Sequence, residues 1–169
     1  VTDVCRAAND IIPPRIFPQP LECVISSTQY VALEKIAINS PDANAIEWAE
    51  KHLKGWYGKY APKVASIEMD KAEESLGGEG YTLNIDNNGV TICAESLQGV
   101  RYALYSLRQI AIPQRGTDQV AGWIVPVAAI KDKPQLNFRG VHICWFRETE
   151  PWVVERQIRL AAYYKMNYA

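Results

Sequence analysis

Gly80-Tyr81-Thr82-Leu83-Asn84-Ile85-Asp86 is followed, after Asn87-Asn88-Gly89, by Val90-Thr91-Ile92-Cys93-Ala94. Tyr81, Leu83 and Ile85 alternate with polar residues, which is the period of a strand with one buried face. Asn88-Gly89 supplies the positive φ angles that a tight hairpin turn demands. A β-hairpin is predicted here, and with it a sheet whose second face is wet or covered differently.

Outward from the hairpin, Ser96 is placed to cap a helix in which Val100, Ala103, Leu104, Leu107 and Ala111 recur at helical spacing before Pro113 stops it. On the other side, Ser40-Pro41-Asp42 supplies a capping hydroxyl, a proline suited to the first helical turn and an acid facing the positive end of the dipole. The predicted helix runs from Pro41 to about Tyr57, with Ile46, Ala49, Leu53, Trp56 and Tyr57 as its apolar stripe. Leu21 to Ile25, Lys35 to Asn39, Val64 to Met69 and Trp123 to Ile130 read as further strands. The first twenty residues carry Pro13, Pro14, Pro18 and Pro20, which forbid a helix and lead into the first strand. Strands interspersed with two amphipathic helices predict a sheet covered on one face by helices, an α+β or α/β layer arrangement.

Past Asp132-Lys133-Pro134 the pattern changes. Val141-His142-Ile143-Cys144-Trp145-Phe146 is nearly all apolar without alternation, the mark of a strand buried on both faces of a parallel sheet. Thr149-Glu150-Pro151 opens a third helix, with Val154, Ile158, Ala161 and Ala162 at helical spacing, and the chain stops at Asn167-Tyr168-Ala169 where another strand could begin. A strand of this kind needs parallel neighbours that one crossover cannot supply. The expectation is therefore one unit over residues 1–133 and the opening β-α unit of a larger, truncated α/β domain over residues 134–169. Val1 stands at the start where Met would be, the expectation for a processed or trimmed product.

Composition sets bounds on partners. Of 169 residues, 48% are hydrophobic and 22% charged, ordinary for a folded chain, which excludes disordered and collagen-like classes. Eighteen basic residues against 19 acidic ones leave a net charge of −1 and no field to draw nucleic acid or an anionic membrane; a neutral or polar partner fits better. No run approaches the roughly 20 apolar residues of a membrane span, and no secretory leader is visible.

Cys5, Cys23, Cys93 and Cys144 lack the paired spacing of a metal or redox site. Cys93 and Cys144 are predicted to be small buried hydrophobes, and a Cys5–Cys23 disulfide stays open for an exported protein. His52 and His142 are too few to compose a metal site or a nucleophile-activating group, and His52 reads as a packing or solvated helix residue. Gly77-Gly78-Glu79-Gly80 precedes a strand and so lacks the helix N-terminus that would hold a phosphate. No metal and no cofactor are expected. Five tryptophans and nine tyrosines compose either packing or a sugar-stacking platform, packing being the simpler role. Arg147, Glu148 and Glu150 cluster just after the apolar strand; if a (β/α)8 barrel follows, that end is its catalytic mouth and Arg139 marks the opposite, structural end. Glu148 and Glu150 read equally well as acids complementing a helix dipole.

Several of these segments together resemble a known family. Glu79 to Ile85, Gly89 to Ala94, Gly99-Val100-Arg101-Tyr102-Ala103-Leu104 and Leu107-Arg108-Gln109 resemble the N-terminal accessory domain of the family-20 glycoside hydrolases, the β-N-acetylhexosaminidases. Phe138-Arg139-Gly140-Val141-His142-Ile143 resembles that family's first barrel strand, and Tyr164-Lys165-Met166-Asn167 the end of its first barrel helix.

The resemblance implies an α+β accessory domain, a sheet of mostly antiparallel strands with two helices on one face, followed by the first β-α unit of a truncated (β/α)8 barrel. It further implies an exo-acting glycosidase that removes terminal β-linked N-acetylglucosamine or N-acetylgalactosamine with retention of configuration. The substrate's own acetamido oxygen serves as nucleophile, held by an aspartate beside a glutamate acid/base, an exception to the two-carboxylate scheme. Both acids lie on a later barrel strand, so no catalytic residue is assigned in this chain and the chain alone is expected to be inactive. Aligned on Arg139-Gly140, Arg147 takes the place of the arginine that binds hydroxyls of the terminal sugar, while Cys144 replaces an aspartate and Glu148 a histidine. The implied partner is carbohydrate, with no nucleic acid and no membrane, and the accessory unit packs on its own barrel. A secreted or periplasmic location is expected from the substrate class alone. Alternatives left open are the accessory domain of a glycosidase cleaving O-linked N-acetylglucosamine or α-glucuronides, and a non-catalytic carbohydrate-binding protein.

Overall fold

A computed structural model describes residues 14–68, 76–117 and 119–169. In chain order the elements are β1 (Glu22–Ala32), β2 (Lys35–Asn39), α1 (Ala45–Tyr57), β3 (Lys63–Ser66), β4 (Tyr81–Asp86), β5 (Gly89–Cys93), α2 (Leu97–Ile110), β6 (Ile112–Arg115), β7 (Val120–Asp132) and α3 (Pro151–Tyr163). The strands form one seven-stranded sheet in the order β1-β7-β4-β5-β2-β3, with β6 also paired to β7.

The predicted hairpin is present, Leu83 facing Ile92 and Asp86 facing Gly89 across an antiparallel pair. Its tip is Asn87-Asn88, and only Gly89 takes a positive φ, at 125°. Asn88 does not share it, contrary to the sequence expectation. The Asp86 carboxylate instead accepts the Asn88 N–H at 2.7 Å, an Asx turn that shapes the tip without left-handed asparagine.

Register carries the alternation from strand to strand. Ile38, Ile92, Leu83, Ile130 and Cys23 stand on one cross-sheet row, and Ile36, Val90, Ile85, Ala128 and Ile25 on the next. Except for Cys23, which is exposed, these rows meet Ala49, Leu53 and Tyr57 of α1 and Val100, Ala103, Leu104 and Leu107 of α2 in a single core. The reverse face carries Ala65, Ala37, Thr91, Asn84, Ala129 and Val24 in one row, and Val24 is 73% exposed there. Pairings of β1, β4, β6 and β7 are antiparallel; β2 lies parallel to both β5 and β3.

α2 begins where its cap requires, the Ser96 hydroxyl accepting the N–H groups of Gln98 at 3.0 Å and Gly99 at 3.4 Å. α1 starts at Ala45, four residues later than predicted. The Asp42 carboxylate accepts the Asn44 N–H at 3.0 Å and the Leu97 N–H at 3.1 Å, so it holds a turn before α1 and joins the starts of both helices. Those two backbone donors hold its pKa below the ordinary 3.8.

Other boundaries moved where partners decided them. β1 extends to Ala32 because the long β7 pairs it along its length, through an irregularity between Ile25 and Tyr30. β3 is the short Lys63–Ser66, and Met69 of the predicted strand lies outside the described residues, as does Cys5. Pro113, read as a helix stop, also sits in β6 opposite Trp123. Cys93 is half-buried, but Cys144 is exposed, which corrects its predicted burial.

Candidate functional site

Residues 141–146 carry no ladder. The expected strand, buried on both faces, has a single parallel bridge, Gly140 to Tyr168, with the Val141 N–H donating to the Tyr168 carbonyl at 3.2 Å. Trp145 and Phe146 are 63% and 67% exposed. Burial on both faces requires a paired neighbour on each side, and among the described residues this segment pairs at that one bridge. The α3 stripe behaves alike: Ala161 is buried, while Ile158 is 48% exposed.

Arg147 and Glu148 form the tip of a turn closed by the Thr149 N–H on the Phe146 carbonyl at 2.9 Å and the Phe146 N–H on the Thr149 hydroxyl at 3.1 Å. Both are exposed, as are His142 and Cys144. Glu150 takes the N-cap position of α3 without a side-chain capping bond, ahead of Pro151.

The structure draws a different set of residues together, where the sheet meets segment 134–169. Arg139 places Nη2 2.6 Å from Glu79 Oε1 and 2.8 Å from the Tyr102 hydroxyl, which itself donates to Glu79 at 2.9 Å. The Arg139 Nε donates to the Lys165 carbonyl at 3.0 Å. Burial raises the Glu79 carboxyl, but the hydrogen bonds from Arg139 and Tyr102 outweigh it and hold the group below its ordinary 4.5. Arg139 thus crosslinks Glu79 and Tyr102 to the end of α3.

Deeper in, Lys165 Nζ lies 2.8 Å from Asp132 Oδ2 and 2.9 Å from the Tyr81 hydroxyl. Tyr81 donates its single proton to Asp132 at 3.1 Å, so Ser106, 2.6 Å away, donates to Tyr81. Side-chain exposure of the ion pair is 6% and 12%. Desolvation pulls the Lys165 pKa below its ordinary 10.5 even against the attraction of Asp132, and burial together with the Asp132 charge pushes Tyr81 well up. None of Glu79, Tyr81, Tyr102, Ser106, Asp132 and Lys165 was a sequence candidate. The usable signal was Tyr81: a tyrosine at a core position of a strand needs a partner for its hydroxyl.

Beside this junction lies a cleft of about 620 Å³ whose walls include Trp48, His52, Gln98, Arg101 and Tyr105. Trp48 stacks on His52 at 3.7 Å and lies 5.1 Å from the Arg101 guanidinium, and the His52 Nδ1–H donates to the Trp48 carbonyl at 2.8 Å. These rings pack on protein partners. Among the described residues no cluster of three or more His, Cys, Asp or Glu side chains is arranged to hold a metal, and no helix is long and apolar enough to cross a membrane.

The sheet with its helix layer is the fold of a class of solved glycosidases. The β-N-acetylhexosaminidase of Streptomyces coelicolor A3(2) superposes with a TM-score of 0.68 at 23% identity, over 92% of this chain and 34% of that one. Residues 13–133 match the model of glycosyl hydrolase family 20, domain 2, and the chain belongs to that family. It is 24% identical over 164 residues to a β-hexosaminidase of Vibrio vulnificus, covering 94% of this chain and 18% of the relative. It is also 26% identical over 165 residues to that of Vibrio furnissii, covering 95% and 26%. The chain thus spans about a fifth to a quarter of the length of these curated relatives.

Proposed function

We propose that residues 1–133 are the accessory domain, and residues 134–169 the first β-α unit of a (β/α)8 barrel, in an exo-acting glycosidase that removes terminal β-linked N-acetylhexosamine from glycans. The observation that carries this reading is the parallel Gly140–Tyr168 bridge flanking α3 in a chain whose preceding residues match family 20. A strand, a helix and the first rung of a parallel strand are the repeating unit of such a barrel. The exposed Leu136, Phe138, Trp145, Phe146, Trp152, Ile158 and Leu160 all lie in this segment, as apolar surface awaiting its neighbours.

In this reading Arg147, at the C-terminal end of the first barrel strand, binds hydroxyls of the terminal sugar through its fork of donors. Cys144 and Glu148, where the family has aspartate and histidine, give that pocket its own specificity. The substrate acetamido oxygen attacks the anomeric carbon, and the carboxylates that steer it and protonate the leaving group belong to later barrel strands. Location outside the cytoplasm follows from the substrate class. The 169-residue chain is expected to leave an aryl N-acetyl-β-glucosaminide intact, and the protein carrying the remaining barrel to release the chromophore. Turnover by the 169-residue chain itself, or none by a folded longer protein, overturns the reading.

A further inference from the structure

α3 ends in a Schellman motif: the Lys165 N–H bonds the Ala162 carbonyl at 2.9 Å and the Met166 N–H the Ala161 carbonyl at 3.0 Å. The residue after the cap takes a left-handed conformation, and glycine is the usual occupant. Here it is Lys165, at φ 60°, the single non-glycine residue with positive φ among those described. A lysine at this place bears the steric cost of its Cβ and, in addition, the cost of burying its ammonium. A helix C-cap by itself requires neither.

Both costs are met across the junction. The side chain passes from the end of α3 to Asp132 at the end of β7 and to Tyr81 at the start of β4, the latter also held by Ser106 of α2. On its main chain, the Lys165 carbonyl accepts Arg139 Nε, and the next residues pair with the same arginine: the Asn167 N–H donates to the Arg139 carbonyl at 2.8 Å and the Tyr168 N–H at 3.1 Å, while the Arg139 N–H donates to Asn167 Oδ1 at 2.9 Å. Arg139 in turn reaches Glu79 and Tyr102. Every bond that sets residues 139–141 against 167–168 is thus within three residues of one pinned lysine or of one clamped arginine.

We infer that Lys165 is a positioning pin: anchored on Asp132 and Tyr81, it uses the finished sheet as a template that fixes the register of the Gly140–Tyr168 parallel pair. This goes beyond the glycosidase reading and holds whatever the rest of the protein does. The accessory sheet then has a defined task, to align the first parallel pair, and the strained residue is the device that performs it.

Lys165→Gly separates the pin from the cap, because glycine suits the left-handed position and keeps the Schellman bonds while deleting the ammonium. Amide hydrogen exchange of the 169-residue chain is the readout. Exchange across residues 139–141 and 166–168 is expected to rise about tenfold or more, with Leu83 and Ile92 in the hairpin holding within about threefold. Unchanged exchange at the pair, or an equal rise in the hairpin, overturns the inference. Should Lys165→Gly fail to fold with a bare buried carboxylate, Lys165→Gly with Asp132→Asn removes that charge and is read by the same two outcomes. Lys165→Arg, which keeps the cation, is expected to recover part of the protection that glycine loses; recovery no greater than with Lys165→Met, which keeps only the stem, contradicts a role for the charge.

Discussion

Glu79 shows how one side chain at the junction answers to solution conditions. Its carboxyl is held below 4.5 in the folded chain, so on acidification the unfolded chain takes up the proton first. The stability it contributes is complete above the unfolded value and is lost as pH falls through the folded one. The side chain is 35% exposed, which screens the pair and limits its worth. Glu79→Gln is therefore expected to lower the urea midpoint at about pH 7, with the gap to the parent closing toward about pH 3. A gap that stays constant over that range contradicts an ionised Glu79–Arg139 contact.

At the scale of elements, α2 packs against the flanks of the hairpin through a residue without a side chain. A Cβ on Gly99 would lie 2.4 Å from the Gly80 carbonyl oxygen and 2.9 Å from the Ala94 Cβ, and both neighbours are fixed in the fold. Helix propensity alone favours alanine there by about 1 kcal/mol. The backbone clash reverses the sign, and Gly99→Ala is expected to cost about 1–3 kcal/mol in urea unfolding. A neutral or stabilising result would mean that α2 has room to shift. Ser96 and the β4–β5 alternation mark what was legible in the sequence: the hairpin and α2 are set by local signals of period and capping. β6 and the full length of β1 were not legible, since β7 confers both by pairing. The start of α1 moved because Asp42 answers to Leu97, 55 positions away.

For the whole molecule, the same distinction separates the fold from the site. Family membership and the helix-covered sheet followed from segments that lie close in sequence. The buried junction did not, since Lys165 and Tyr81 are 84 positions apart and Arg139 and Glu79 are 60. Composition alone predicts Val141–Phe146 to be doubly buried, whereas Trp145 and Phe146 are exposed, because burial on both faces depends on sheet neighbours that a local apolar run does not specify. Arg147, exposed on its turn, acquires its proposed role only in a complete barrel. In the extended protein, Arg147→Ala is expected to lower kcat/KM about 10- to 100-fold, the worth of hydrogen bonds from a charged donor, with the urea midpoint unchanged. Equal activity of that variant removes Arg147 from the sugar pocket.

In the proposed mechanism hydrolysis depends on one group of the sugar, the 2-acetamido oxygen in the place of a protein nucleophile. The most direct measurement compares chromophore release from an aryl N-acetyl-β-glucosaminide and from the matching aryl β-glucoside by the protein extended through its barrel. Release from the acetamido sugar, and none above background from the glucoside, is the predicted result. Comparable release from both would contradict it, because a glucoside carries no internal nucleophile.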